Sequence, residues 1–342
     1  MKIQTMTIFG AAVTAAILQL GGLVQASFAQ TNQTQWSQRT PWGDPDLRGE
    51  WTSEGEYGVP LERPAQFGRR QFLTDEEYAK RLEEVRLRDE RDLAPVDVLA
   101  DKVEGPTAPV PHWREYNTTS RRTSLIVDPP DGRLPPRVPG ARPLPVQRCG
   151  SLARGEPCDS YEDYSLGVRC IVHGSGFPDA MFPAVYNANF RILQTPEFVA
   201  ITYELIHDTR IIPLDGRPPL SPAIRLYMGD ARGRWEGTTL VVETTNLKAA
   251  PRGASPGLRL IERFTRTGRD TINYTVTFVD PATWTAPWTA ALELRSRPDG
   301  AGVYEYACHE GNRGMTNMLS ASRHLEQVER EGASAPPPQE GR

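Results

Sequence analysis

Beyond residue 30 the chain has no apolar run long enough to cross a bilayer as a helix. It has no P-loop, and no G-x-G-x-x-G follows a strand-like run, so neither common cradle for a nucleotide cofactor is present. H-E-x-x-H is missing, and no two of the four cysteines stand at C-x2-C spacing, which leaves no zinc signature. Lysine is scarce: Lys2, Lys80, Lys102 and Lys248 are the only four. The 39 basic residues face 43 acidic ones for a net charge of −4. No basic stripe stands out, so a nucleic-acid partner is not expected. Hydrophobic residues make up a low 38% and prolines number 31, so much of the chain must be loop wrapped around a small core.

What is present begins with a leader. Lys2 precedes an apolar run from Met6 to Leu23 that ends in small residues, with Ser27 and Ala29 at a spacing that suits signal peptidase. Residues 1–29 are therefore expected to be a signal peptide cleaved before Gln30. The alternative, a transmembrane anchor, fits the cleavage-like ending less well. The mature chain then reads as periplasmic or secreted, with no membrane span. Its four cysteines, Cys149, Cys158, Cys170 and Cys308, allow three pairings. The Cys149–Cys158 spacing suits a local clamp. That pairing would leave Cys170 and Cys308 to close a long loop, worth on the order of 4–5 kcal/mol in the chain-entropy account.

Residues 30–160 read as a Pro/Gly-rich arm that packs against the body, centred on Pro41-Trp42-Gly43-Asp44-Pro45-Asp46-Leu47. Thr74-Asp75-Glu76-Glu77 is a capping box opening one short helix over 75–92. Tyr78, Leu82 and Val85 form its stripe, and Glu76–Lys80, Glu77–Arg81 and Glu84–Arg88 are spaced for ion pairs. Ser124–Val127 reads as an isolated strand inside a proline-stiffened loop.

From 161 to 330 the chain reads as β. Strands are expected at 184–194, 198–206, 238–245, 259–265, 271–279, 290–297 and 303–309, the last two joined by a turn over 297–302. Ile272, Tyr274, Val276 and Phe278 alternate with polar residues, the period of a half-buried strand. The fold class is mainly β: an antiparallel, lipocalin-like barrel, or a sandwich. The tail 331–342 is polar, Pro-rich and expected to be disordered.

Polar residues concentrate in Tyr203–Arg210, continuing to Pro218, and in Tyr304–Asn312. On an extended strand Tyr203, Leu205 and His207 share a face, as do Val303, Glu305, Ala307 and His309. Histidine flanked by carboxylate is suited to proton transfer near neutral pH. His207, Asp208, Glu305 and His309 are therefore the candidate catalytic residues. Tyr203, Arg210, Asp215, Trp235, Tyr306 and Asn312 are the candidate ligand-binding residues. The bland alternative is that these groups only hydrogen-bond strand ends and loops. A metal held by His207, Asp208, His309 and Glu310 lacks any ligand spacing to support it, so neither metal nor cofactor is expected. Trp235, Tyr227, Trp284, Trp288, Tyr186 and Phe190 could line a pocket, although such residues are more often core.

Three stretches carry a resemblance: His207–Pro218 (HDTRIIPLDGRP), Gly229–Gly237 (GDARGRWEG) and Tyr304–Asn312 (YEYACHEGN). With Arg122–Pro130 and most of 180–324, they make the chain resemble a large family of uncharacterised exported bacterial proteins. The resemblance identifies relatives without implying an activity. The chain departs from that pattern at Ala231, where Ser is usual, at Thr238 (usually Asp) and at Leu247 (usually Phe).

Three functions are compatible with these residues. The first is an enzyme of lyase, isomerase or hydrolase type using His and carboxylate groups on a small organic or glycosylated substrate. The second is a lipocalin-like carrier of an apolar or aromatic ligand. The third is a cell-envelope interaction module. The clustering of ionisable residues in two distant segments favours the enzyme.

Overall fold

The period-two pattern of 271–279 organises the whole body, because each strand of its neighbourhood repeats it on the facing side. The computed structural model describes residues 36–93, 119–141, 160–172, 181–184, 186–249, 251–298, 301–310 and 312–334. The leader 1–29, Cys149, Cys158 and the tail beyond Ser334 lie outside the described residues.

Ten strands form one antiparallel sheet: β1 (Gly49–Thr52), β2 (Ile126–Asp128), β3 (Asn189–Gln194), β4 (Phe198–Tyr203), β5 (Thr209–Pro213), β6 (Asp230–Glu236), β7 (Thr239–Thr245), β8 (Arg259–Gly268), β9 (Thr271–Val279) and β10 (Trp288–Ser296). Nine of them follow the order β5-β4-β3-β1-β10-β9-β8-β7-β6, and β2 lies beside β10. The sheet curls into a nearly closed barrel, as the sequence predicts, with β5 and β6 meeting at the seam. No ladder joins those two among the described residues; side chains close the gap instead. A Cβ placed on Gly233 of β6 would stand 2.8 Å from Ile212 Cγ2 and 2.7 Å from Leu214 Cδ2. Glycine alone allows that approach.

Register places Leu260, Glu262 and Phe264 of β8 opposite Phe278, Val276 and Tyr274 of β9. Those three in turn oppose Trp288, Ala290 and Leu292 of β10. Apart from Glu262, which is buried among them, these residues form one hydrophobic cluster with Trp51, Phe190, Ile192, Val199, Ile201, Tyr203 and Ile212. The barrel is thus filled by its own side chains. Trp284 and Trp288, with Phe190, belong to this core, where Phe278 stacks on Trp288 at 3.8 Å.

The arm does more than pack on the body. β1 sits between β3 and β10, so the sheet would divide into β5-β4-β3 and β10 to β6 without it. Its approach is fixed by Gln194, which accepts from Leu47 N (2.6 Å) and donates to Pro45 O (3.1 Å). Ser124–Val127 is not isolated, as its spacing suggested: Ile126 and Asp128 pair with Ala290 and Thr289. β2 and β1 follow one another along the same edge of β10.

Helix α1 (Asp75–Leu93) has the predicted capping box, with Thr74 N donating to Glu77 Oε2 (2.9 Å) and Glu77 N to Thr74 Oγ1 (3.3 Å). The ion pairs differ from expectation. Glu77 binds Arg70, and Arg81 donates to the Ser120 and Arg122 carbonyls, because the helix docks on residues 119–122 rather than standing in solvent. A second helix, α2 (Arg313–Ser334), was not expected. It packs through Met315, Met318 and Leu319 on Tyr164.

The expected strand 303–309 does not form. Its residue types favour β structure, but β10 already pairs with β9 on one side and with β1 and β2 on the other. No edge of β10 is left for a hairpin, and residues 301–310 run as an irregular strap.

Candidate functional site

The β4–β5 connection is a strained turn. Leu205–His207 form a single 3-10 turn, with Ile206 at φ 63° and His207 at φ 45°. Two successive left-handed residues, one of them β-branched, are costly and concentrate at functional positions. The turn corrects the expectation that Tyr203, Leu205 and His207 share a strand face. Glu204 holds it from inside: its buried carboxylate accepts from Asn187 Nδ2 and Asn189 Nδ2, both at 2.7 Å. Nothing in the pattern of residues singles out Glu204, since its asparagine partners lie 15 and 17 residues away and carry no motif.

The turn pushes His207 out to the surface, where Nδ1 lies 2.8 Å from the carbonyl oxygen of Tyr306. A carbonyl only accepts, so Nδ1 carries the proton and Nε2 of the neutral ring is the basic nitrogen. The strap that supplies this carbonyl is anchored by the Cys170–Cys308 disulfide, with Cα atoms 5.6 Å apart.

Between strap and sheet lies a cleft of about 440 Å³, lined by Arg191, Leu193, Thr202, Tyr203, His207, Val303, Tyr304 and Glu305. It brings together His207 and Glu305 from the two predicted segments; Tyr203 borders it, but its side chain is buried in the barrel core, so the ring is not the ligand-binding group expected. Arg191, Leu193 and Thr202 sit on the outer faces of β3 and β4, so the cleft is outside the barrel. Asp208 is half-buried beside it; burial raises its pKa, opposed by the charges of His207 and His309. His309 is exposed. Burial, together with the neighbouring Tyr186 hydroxyl, pushes the Tyr306 phenol up to about 12, so it stays protonated.

The other predicted binding residues go elsewhere. Arg210 points into the barrel, where NH1 donates to Glu262 Oε1 at 3.0 Å and NH2 to Thr244 Oγ1 at 2.7 Å. Tyr274 completes that network through its hydroxyl on Glu262 Oε1, at 3.1 Å. Burial opposes the Arg210 charge, and the facing Glu262 carboxylate overrides it and raises the pKa. Arg210 is therefore a core ion pair rather than a surface clamp. Asp215 is exposed and paired with Arg217. Trp235 packs against the core from β6. Asn312 caps α2, accepting from Met315 N at 3.3 Å, and donates to Val168 O at 3.2 Å. Among the described residues no group of three or more His, Cys, Asp or Glu is placed to hold a metal.

Comparison of the chain with models of known protein families gives no match, and comparison with functionally described proteins gives none.

Proposed function

We propose that the protein is an exported enzyme that uses His207 as a general base on a small organic or glycosylated substrate held in the outer cleft. The observation that carries this reading is the 2.8 Å contact between His207 Nδ1 and Tyr306 O. It fixes the tautomer and leaves Nε2 basic on a side chain that lines the cleft, the arrangement a general base needs. Glu305, on the strap, is the carboxylate nearest in role to a second proton-transfer group. Leu193, Val303 and Tyr304 supply an apolar wall for the substrate body, and the volume suits a molecule of drug-like size. Export is supported by the Cys170–Cys308 disulfide, which persists in oxidising compartments. Lyase, isomerase and hydrolase chemistry all fit one base and one acid.

The test is conversion of compounds from an envelope or culture extract, followed by mass spectrometry with wild type and His207→Ala. The reading requires that the variant keep its circular dichroism and lose at least a hundredfold in rate, the lower end of what general-base catalysis contributes. A folded variant with undiminished rate refutes it. The apolar wall also favours a second reading, a carrier using the same cleft. Stoichiometric recovery of an unchanged ligand, with no conversion, would establish that reading instead.

A further inference from the structure

A second cleft, of about 610 Å³, opens where β1, the β8–β9 turn and the end of β10 meet. Arg48, Glu50, Arg266, Arg269, Asp270 and Arg297 line it. Arg48 is held bidentately by Asp46, at 3.0 and 2.8 Å, and Arg297 donates to the Gly302 carbonyl, so Arg266 and Arg269 are the two arginines of the cleft with donors to spare. Glu50 is drawn toward Arg191, whose Nε lies 3.2 Å away. Asp270 accepts from Ser296 Oγ at 3.0 Å.

Arg266 is the unusual member. Its Nε, NH1 and NH2 donate to the carbonyl oxygens of Gly268 (3.2 Å), Asp46 (2.8 Å) and Arg269 (2.6 Å). Its guanidinium carbon lies 4.9 Å from the Trp36 ring centre and 5.1 Å from that of Trp51. Among the described residues no carboxylate lies at ion-pair distance, so the groups in direct contact with this half-buried positive charge are neutral dipoles and ring faces. Burial accordingly pushes its pKa down, opposed by the more distant Asp46 and Asp270. Three of its five N–H groups are used, which leaves two. Beside it, the Arg269 side chain is 78% exposed, with Asp270 no closer than 3.9 Å.

We propose that this cleft binds an oxyanion, the phosphate or sulfate group of an ester, independently of the His207 cleft. A tetrahedral oxyanion can accept from several guanidinium forks at once, and planar arginine suits it better than lysine. The ligand would supply the negative charge that Arg266 lacks, with Arg269 as the mobile arm and Arg48 at the rim.

The experiment is calorimetric titration of the full-length protein with inorganic phosphate and, separately, sulfate, at constant ionic strength. Saturable one-to-one binding is expected, and the tighter of the two probes identifies the ester. The Arg269 carbonyl that holds Arg266 is main chain and survives substitution, and its side chain is 78% exposed, so Arg269→Glu should stay folded and bind at least tenfold more weakly. Asp270→Asn keeps the acceptor for Ser296 but removes a repulsive charge, and should bind severalfold more tightly. His207→Ala should bind as wild type does. Absence of saturable binding, or equal affinity in wild type and Arg269→Glu, overturns the proposal.

Discussion

His207 and Tyr306 are joined by one hydrogen bond, imidazole Nδ1 to main-chain oxygen at 2.8 Å, across 99 residues of sequence. The strap that carries Tyr306 has no strand partner, so its position depends on a few ties. One is the Cys170–Cys308 disulfide two residues on; another is Arg297 NH1 on the Gly302 carbonyl.

Cutting the disulfide should therefore loosen the site before it unfolds the barrel. Cys308→Ser is expected to cost about 2–5 kcal/mol of stability and to release the His207 ring. Urea titration gives the first effect, and histidine side-chain NMR the second. An unchanged His207 signal in the serine variant would show that the strap is held by other contacts.

The Arg210–Glu262 pair should behave as a buried pair does. Glu262→Gln removes the compensating charge from an Arg210 side chain only 2% exposed, with a loss of about 3–5 kcal/mol. The double variant Arg210→Met, Glu262→Leu should recover most of that loss, since an apolar replacement removes both desolvated charges. Chemical denaturation of the wild type and the two variants gives the comparison. Equal losses in the single and double variants would contradict it.

Glu56 and Asp208 give the stability a pH dependence of definite sign. Burial raises both pKa values, offset in part for Glu56 by Ser120 and the Glu293 amide, and for Asp208 by His207 and His309. Each binds its proton more tightly folded than unfolded. The stability from that proton is complete below the ordinary carboxylate range near about pH 4. It is lost as the pH rises through the folded-state value. Asp46 and Asp280, whose partners lower their pKa despite burial, run the opposite way, so the informative quantity is a difference between variants. Glu56→Gln should lose less stability than wild type between pH 4 and pH 7, measured by urea midpoints. A larger loss in the variant would refute the assignment.

The barrel was legible where strands carry the alternation of Ile272, Tyr274, Val276 and Phe278. It was illegible where the core-facing residues are small or the strand is short. β6 presents Ala231, Gly233 and Trp235 inward, and alanine and glycine are both depleted in strands. β1 has four residues, too few for a period to show. The strap was misread because Val303, Tyr304 and Tyr306 favour strands, whereas only the sheet order reveals that no edge is available. At the site, the histidine and carboxylate segments did converge, through His207 and Glu305. Arg210 was misplaced because alternation along β5 turns it inward, and a glutamate 52 residues on, in β8, receives it.

The seam yields a packing test. Gly233→Ala would put a methyl within 3 Å of Ile212 and Leu214, and the two strands must part or repack. A loss of about 1–3 kcal/mol is expected, read as a lower urea midpoint. A more stable alanine variant would mean that β5 and β6 are not in close contact in solution.

The central claim is that His207 is held as the Nδ1–H tautomer with Nε2 basic. Long-range ¹⁵N–¹H correlation NMR on histidine-labelled protein measures this directly, with His207→Ala assigning the signal. The account predicts a protonated-type shift at Nδ1 and an unprotonated-type shift at Nε2 of the neutral ring. A dominant Nε2–H tautomer would contradict it, and with it the role of His207 as base.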